Sequence, residues 1–419
     1  MRHNVLIIGA GPVGLCLSLA LAKRGMEVDV VERQSAETLA APAYDGREIA
    51  LTQASMRLLR TLGVWPHIAE DAIASVARAH IMDGADDGFV VDAAPLGRGR
   101  LGVLASNHAI RAAAWQAVAA EPRIRVHAGV AVERARTDAV SAHVHLADGS
   151  ELEAALLVAA DSRFSETRRG MGIPVHMHDM GMSMLLCRVQ HAEANHGTAW
   201  EWFGQEQTRA LLPLRERLSS VVLTVPDGEA QRLQHLAPDA LAEELAARYE
   251  GRLGAMSVAS TVHRYPLVAT WARRFVGRRF ALIGDAAIGM HPVTAHGFNL
   301  GLAGVEHLAA ATGDAVHRHG DPAHPSLLVR YQRRLRINSA LLFAGTQTVA
   351  GLFTDQRAHA RPLRHGIMRL GRKLPAVRRA LAASLVDDTP RPASLPHHLH
   401  TAFDILRPRL GPSHVHPRA

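Results

Sequence analysis

The sequence predicts an α/β fold: a parallel sheet assembled from distant segments, with a second, mostly antiparallel sheet inserted between them. Three observations predict it. The chain opens on a short apolar run, residues 5–8, that passes through a glycine-rich turn into an apolar-faced helix, residues 15–24. Two further runs of buried-strand character, residues 156–160 and 280–283, stand far along the chain, and each is followed by an aspartate, Asp161 and Asp285. Between 182 and 226, apolar stretches at 184–189, 200–203 and 221–225 have the length and spacing of antiparallel strands.

The first turn carries chemistry. Gly9, Gly11 and Gly14 form a GxGxxG pattern between strand and helix, and a second strand, residues 28–31, ends at Glu32. A dinucleotide site needs a tight turn, close backbone approach to a pyrophosphate and close helix packing, and each of these tasks excludes a side chain. The helix that starts near Pro12 aims its free N–H groups and positive dipole end at the phosphates. Glu32 lies 18 residues past Gly14, where an acidic residue accepts hydrogen bonds from an adenosine ribose. The pattern does not distinguish FAD from NAD. The apolar stretch 5–22 also resembles a signal peptide or short membrane span, but its glycines break it into strand, turn and helix.

A second constellation chooses the cofactor. After the strand at 280–283 come Gly284-Asp285-Ala286-Ala287, then His291-Pro292, then Thr294-Ala295-His296-Gly297-Phe298-Asn299 opening a helical run through 300–311. A carboxylate at a strand end accepts hydrogen bonds from a polyol such as a ribityl chain. Gly297 permits close backbone approach, and the positive end of the following helix stabilises negative charge on a reduced flavin ring. A plain nicotinamide enzyme needs no such second site.

Taken together, in this order and spacing over residues 2–385, the motifs resemble the class A flavoprotein aromatic hydroxylases. Within that group the stretch Pro42-Ala43-Tyr44-Asp45-Gly46-Arg47-Glu48-Ile49-Ala50-Leu51-Thr52, continuing to Leu62-Gly63-Val64-Trp65, is similar to the ubiquinone-biosynthesis ring hydroxylases. Residues 291–299 are similar to their UbiM branch. The resemblance implies a Rossmann-like, GR2-type FAD-binding domain with an inserted substrate domain. It places FAD pyrophosphate at Gly9, Gly11, Pro12 and Gly14, and adenosine ribose at Glu32 with Arg33 beside it. Further cofactor contacts fall to Arg47, Arg111, Asp161, Gly284 and Asp285, with Pro292, Gly297 and Asn299 beside the flavin ring. The chain departs from the family pattern at four points: Asp161-Ser162 replaces Asp-Gly, Ile288 replaces a histidine, His296 replaces a glutamine, and Gly304 replaces a frequent helix aspartate.

The expected organisation is an FAD-binding domain from residues 1–78, 104–172 and 262–355, with a substrate domain from 79–103 and 173–261. Trp200, Trp202, Phe203, Leu212 and Tyr265 are candidates for a ring pocket, with ordinary sheet packing as the alternative. Residues 238–249 read as a helix with Glu243, Glu244 and Arg248 outward, and 327–343 as a long arginine-bearing helix. Residues 356–385 form a C-terminal helical segment whose leucine stripe and basic residues suit either an anionic membrane surface or packing on the FAD domain. Beyond it, 386–419 reads as a flexible Pro- and His-rich tail.

Composition narrows the function classes. The chain has 419 residues, a formal net charge of +8 and a mean hydropathy of +0.01. Of its 47 basic residues only Lys23 and Lys373 are lysines, so the charge reads as arginine-rich coding rather than a nucleic-acid footprint, and no nucleic-acid partner is expected. Two cysteines, Cys16 and Cys187, cannot build a disulfide framework and suit a reducing compartment, hence a cytoplasmic protein, at most peripheral on the inner face of the membrane. The 26 histidines lack convergent partners at zinc-ligand spacing, so no metal is expected.

The implied reaction uses NADH or NADPH to reduce FAD, and O2 then serves to hydroxylate an electron-rich, phenol-like ring carrying a prenyl tail. His291, His296 and Tyr265 are the candidate proton handlers, each with a structural alternative. Three rivals stand beside this reading: a prenyl-lipid reductase sharing the glycine motifs, a flavin halogenase, and a non-catalytic FAD-binding assembly subunit. The halogenase fits least, since Trp200-Glu201-Trp202 lacks the Ile-Pro of the halogenase motif and neither lysine is suitably placed.

Overall fold

The computed structural model describes residues 4–83, 86–94, 99–204, 207–290 and 297–354. All of them lie in one unit, Met1–Asp388. The expected C-terminal segment 356–385 and tail 386–419 lie outside the described residues.

The parallel sheet forms as its apolar runs predict. Its order is Val276–Gly277, Phe280–Leu282, Leu156–Ala159, Asn4–Ile8, Glu27–Glu32, Ile124–Ala128, with every pair parallel except the first. Strands in a parallel sheet are covered on both faces, so they read as unbroken hydrocarbon: Val5, Leu6 and Ile7 and all of Leu156–Ala159 are buried. The helix Pro12–Ala22 packs against both Asn107–Ala119 and Gly297–His319, which makes the apolar stretch 5–22 the centre of the core. Two three-stranded antiparallel sheets flank this layer, one from Val132–Thr137, Ala142–Leu146 and Glu151–Ala154, the other from Glu48–Leu51, Gly102–Ser106 and Ile73–Val76.

The inserted sheet has nine strands. Their order is Ile288–Gly289, His263–Ala272, Val175–His191, Leu218–Pro226, Gln207–Arg215, Thr198–Gly204, Arg78–Asp83, Asp86–Asp92, with Met256–Val258 paired to Val175–His191. Every pair is antiparallel except Thr198–Gly204 with Arg78–Asp83. Pairing moves two expected boundaries. The strand His263–Ala272, assigned by sequence to the last FAD-binding segment, is hydrogen-bonded along Val175–His191 and belongs to the large sheet. Residue 103, expected to end a substrate segment, sits inside Gly102–Ser106, which pairs with Glu48–Leu51.

One face of the large sheet is sealed by the helices Asp227–Gln234 and Pro238–Arg248. Leu185, Cys187, Trp202, Leu211, Val221 and Leu223 meet Leu233, Leu241, Leu245 and Tyr249 there. Arg248 does not simply point outward, because its guanidinium bonds Glu229 and Gln207 as well as Glu244, tying both helices to the sheet. Among the described residues no helix is long and apolar enough to cross a membrane.

Tyr249 is fully buried, its ring edge-on to Trp202 at 5.4 Å and its hydroxyl donating to the Ala210 carbonyl at 3.1 Å. Tyr249→Phe is therefore expected to lower unfolding free energy by about 1 kcal/mol. Tyr249→Ala, which also leaves a cavity, should lower it by about 3–5 kcal/mol, read from urea denaturation.

Candidate active site

The parallel strands deliver their C-terminal ends to one place, where side chains are excluded. Gly9 adopts φ +108°, and a Cβ there would stand 2.6 Å from the Ala160 carbonyl oxygen. A Cβ on Gly14 would stand 2.0 Å from the Gly9 oxygen. Gly11 differs: its φ is −64°, open to any residue, and nothing lies within 4 Å of the Cβ position. Two glycines thus serve the protein's own packing and the third leaves space in front of the N-terminus of Pro12–Ala22. Glu32 closes the turn, one oxygen accepting from the Ala10 N–H at 2.8 Å and the other from the Gln34 N–H at 3.0 Å.

In front of this turn lies one continuous cavity of about 1570 Å³, lined by Gly9, Gly11, Pro12, Glu32, Arg33, Arg47, Arg111, Asp161, Gly284, Asp285 and Gly297 among others. The structure therefore brings together nearly every residue singled out from sequence for the cofactor. Gly14 lies behind the turn, packed on backbone. Asn299 braces rather than lines the cavity: its amide accepts from the Thr52 N–H at 3.2 Å and donates to the Ala50 carbonyl at 2.8 Å. His291, Pro292 and His296 lie outside the described residues.

Asp161 accepts from the Thr167 N–H with one oxygen, while its other oxygen is buried without a partner. Asp285 is paired with Arg163 at 3.0 Å, and the same guanidinium donates to the Val268 carbonyl. Arg168, buried, donates to the carbonyls of Arg163 and Ala286, so the strand ends at 161 and 285 are held to each other by two arginines that sequence reading did not assign. Ser162 adopts φ +125°, a conformation suited to glycine. Ile288 is buried opposite Trp271, and a Cβ at Gly304 would already press on Ile283 at 3.3 Å, so a larger side chain there would crowd it.

Residues 44–48 form the side of the cavity nearest the large sheet. Arg47 and Asp45 pair at 2.5 Å, and Asn107 donates to the same carboxylate at 2.7 Å. Burial raises the Asp45 pKa, but the charge and hydrogen bonds of Arg47 outweigh it and hold the group below its usual range. Tyr265 donates its hydroxyl to the Asp45 carbonyl at 2.8 Å and lies 5.5 Å from the Arg47 guanidinium, so it works here as a brace. Arg111 donates to Gln34 at 2.8 Å. Arg188 from the sheet grips the buried Glu48 at 2.6 Å and stands over the Tyr44 ring at 4.5 Å.

The cavity continues onto the inner face of the large sheet, where Met184, Leu186, Glu201, Thr208, Ala210, Leu212, Val222 and Thr224 line it. Strand alternation settles the aromatic candidates. Leu212 lines the cavity as expected, whereas Trp200 and Trp202 belong to the helix-covered core on the opposite face. Glu201, between them in sequence, points the other way. Sequence reading passed over it, although a carboxylate alternating with two tryptophans is itself a period-two signal.

The residues fit an FAD. A cradle that a Cβ would fill at Gly11 and Gly297, an unpartnered buried carboxylate oxygen on Asp161 and a cavity larger than the ~300–1,000 Å³ of ordinary ligand sites all suit a long dinucleotide with room for a second molecule. The FAD binding domain family matches residues 2–342. Ubiquinone hydroxylase UbiM of Neisseria meningitidis is 40% identical over 390 residues, 92% of this chain and 85% of the relative. The chain belongs to the ubiquinone hydroxylase family of FAD-dependent monooxygenases. The family extends to the 3-demethoxyubiquinol 3-hydroxylase of Escherichia coli, 30% identical across 91% of this hydroxylase and 98% of the relative. Among solved structures, p-nitrophenol 4-monooxygenase PnpA of Pseudomonas putida shares the fold with a TM-score of 0.72 at 22% identity, covering 91% of this chain and 96% of that one.

Two outcomes follow for the turn. Gly11→Val is expected to leave the melting temperature of the FAD-free hydroxylase unchanged while cutting FAD affinity at least about tenfold, because the added side chain meets only the cradle. The reverse holds at Ser162: Ser162→Gly relieves the positive φ and should stabilise the FAD-free protein by about 1 kcal/mol, read by thermal unfolding.

Proposed function

We propose that this monooxygenase uses NADH or NADPH and O2 to hydroxylate the aromatic ring of a prenylated phenol precursor of ubiquinone. The observation that carries the reading is the continuous cavity running from the glycine turn to the inner face of the large sheet, long enough for a dinucleotide and an aromatic ring side by side. Two of the relatives are a ubiquinone hydroxylase and a 3-demethoxyubiquinol 3-hydroxylase, and the mostly apolar sheet face suits a ring of that kind.

In this reading the N-terminus of Pro12–Ala22 and the open backbone at Gly11 hold the pyrophosphate, Glu32 and Arg33 the adenosine ribose, and Arg47 and Arg111 the phosphates from the opposite side. Asp161 and Asp285 take the ribityl side, with Arg163 fixing the Asp285 carboxylate. Gly297, which lines the cavity, leaves room for the ring, and Asn299 braces that wall through Thr52 and Ala50. Bound FAD supplies the oxygen chemistry, and the chain supplies orientation and exclusion of water, without which reducing equivalents escape as hydrogen peroxide. His291 and His296 remain the candidate histidine proton handlers from the sequence.

The test follows NADH and NADPH oxidation and O2 uptake by FAD-loaded protein with and without prenylated phenols, with product masses. The expected result is substrate-stimulated oxidation and a product heavier by one oxygen atom. FAD retention with neither O2 uptake nor an oxygenated product from several soluble precursors overturns the hydroxylase reading in favour of a reductase or a non-catalytic subunit.

A further inference from the structure

The inner face of the large sheet is hydrocarbon or hydroxyl at every position lining the cavity except one. Met184, Leu186, Ala210, Leu212 and Val222 are apolar, Thr208 and Thr224 carry hydroxyls, and Glu201 is the one carboxylate. Its cross-strand neighbours are Ile81 and Ala210. The row continues through Val222 and Leu186 to His263 on the far side of the sheet. Among the described residues Glu201 makes no hydrogen bond or ion pair.

Ionisable groups on that face are held elsewhere. Asp83 is in register with Phe203 and has its own partner. Arg188 is committed to Glu48, His263 accepts or donates at Thr261, and Tyr265 is bound to Asp45. Arg209 and Arg252 lie against Trp202 on the opposite face. Burial alone therefore acts on the Glu201 carboxyl and raises its pKa to about 8. An unpartnered carboxyl at the edge of a core is destabilising, and one that faces a substrate cavity has the setting of a working acid or base.

We propose that Glu201 is a catalytic base that takes the proton from a ring hydroxyl of the substrate and so presents the ring as its more electron-rich phenolate. The inference rests on the ring-hydroxylase reading above. In the step the phenol O–H bond breaks, a carboxyl O–H bond forms on Glu201, and the electron pair stays on the phenolate oxygen. Once the ring has gained its oxygen, the same proton returns to the product. A base ionising near 8 is matched to phenols ionising near about 10, since the transfer is only moderately uphill and the ionised carboxylate, a minority at neutral pH, becomes the main form above about 8.

Only ionised Glu201 works, so kcat should rise with pH through about 8 and level off above it. Stability runs the other way. From the ordinary carboxyl value of 4.5 up to about 8 the unfolded chain sheds this proton while the folded protein keeps it, so the group's contribution to stability is lost across that window.

The experiment compares FAD-loaded wild type with Glu201→Gln, which keeps shape and a donor but cannot accept the proton. The probes are 2-methoxyphenol and ring-fluorinated phenols that ionise without help. The variant is expected to keep full FAD content, to lose about 100-fold in kcat on 2-methoxyphenol, and to lose the rise near pH 8. Its deficit should shrink as the phenol becomes more acidic, and its melting temperature should gain on wild type between pH 5 and 8. Equal rates and pH profiles, or a deficit indifferent to phenol acidity, overturn the proposal while leaving the hydroxylase reading intact. Wild type that inserts no oxygen into these probes or into the prenylated phenols overturns the reading itself. Flavin absorbance titrations with a fluorinated phenolate then decide on Glu201: affinity falling above pH 8 in wild type and flat in the variant supports it, and coincident curves overturn it.

Discussion

The fold depends on a steric constraint around Val13. A Cβ on Gly301 would stand 2.6 Å from Val13 Cγ2, one on Gly284 3.2 Å from Cγ1, and the backbone of Gly9 and Gly14 is in contact one turn away. Three strand ends from distant parts of the chain thereby converge on the start of one helix with only the Val13 side chain between them. Packing this close has no soft alternative, because interiors are packed at crystal density and backbone atoms cannot give way. It is also what brings Gly11, Asp161, Asp285 and Gly297 to one cavity, since each follows or opens an element fixed at that junction.

This explains why the cofactor half was legible in the sequence. Parallel strands covered on both faces are unbroken apolar runs, and glycines demanded by backbone contact are visible as letters. What could not be read was the work of Arg163 and Arg168 across the site, where their partners Val268, Asp285 and Ala286 lie more than a hundred residues away in carbonyls and a carboxylate that carry no local signal. In the sequence, Ser162 is a departure from the family pattern. Its meaning came only with φ +125°, where the peptide is held by the interactions of Asp161 and Arg163 on either side.

The substrate half was harder for a physical reason. An antiparallel strand alternates between two faces, but which face meets helices and which meets the cavity is decided by elements elsewhere. The tryptophans at 200 and 202 looked like ring-pocket residues by chemistry, yet the helices Asp227–Gln234 and Pro238–Arg248 need large apolar partners and take that face. The cavity is left with smaller side chains and the carboxylate between the tryptophans. Likewise, a boundary at 262 sets His263–Ala272 apart from the large sheet, whereas that strand joins it through its hydrogen bonds.

The two halves must also hold a fixed distance, because orienting a ring against a cofactor tolerates errors of well under about 1 Å. Residues 44–48 set that distance. Gly46, at φ +79°, lies so close to the sheet that a Cβ would stand 2.9 Å from the Leu186 Cβ. On one side of it Asp45 is bound by Arg47, Asn107 and Tyr265; on the other, Glu48 is bound by Arg188. The Glu48 carboxyl is only 2% exposed, and burial lifts its pKa despite the opposing charge of Arg188. A buried pair of this kind adds little net stability over an apolar contact, but breaking it strands a charge. Its effect is to make any sliding between sheet and cofactor cavity costly, which is the rigidity a shared enclosure for ring and cofactor requires.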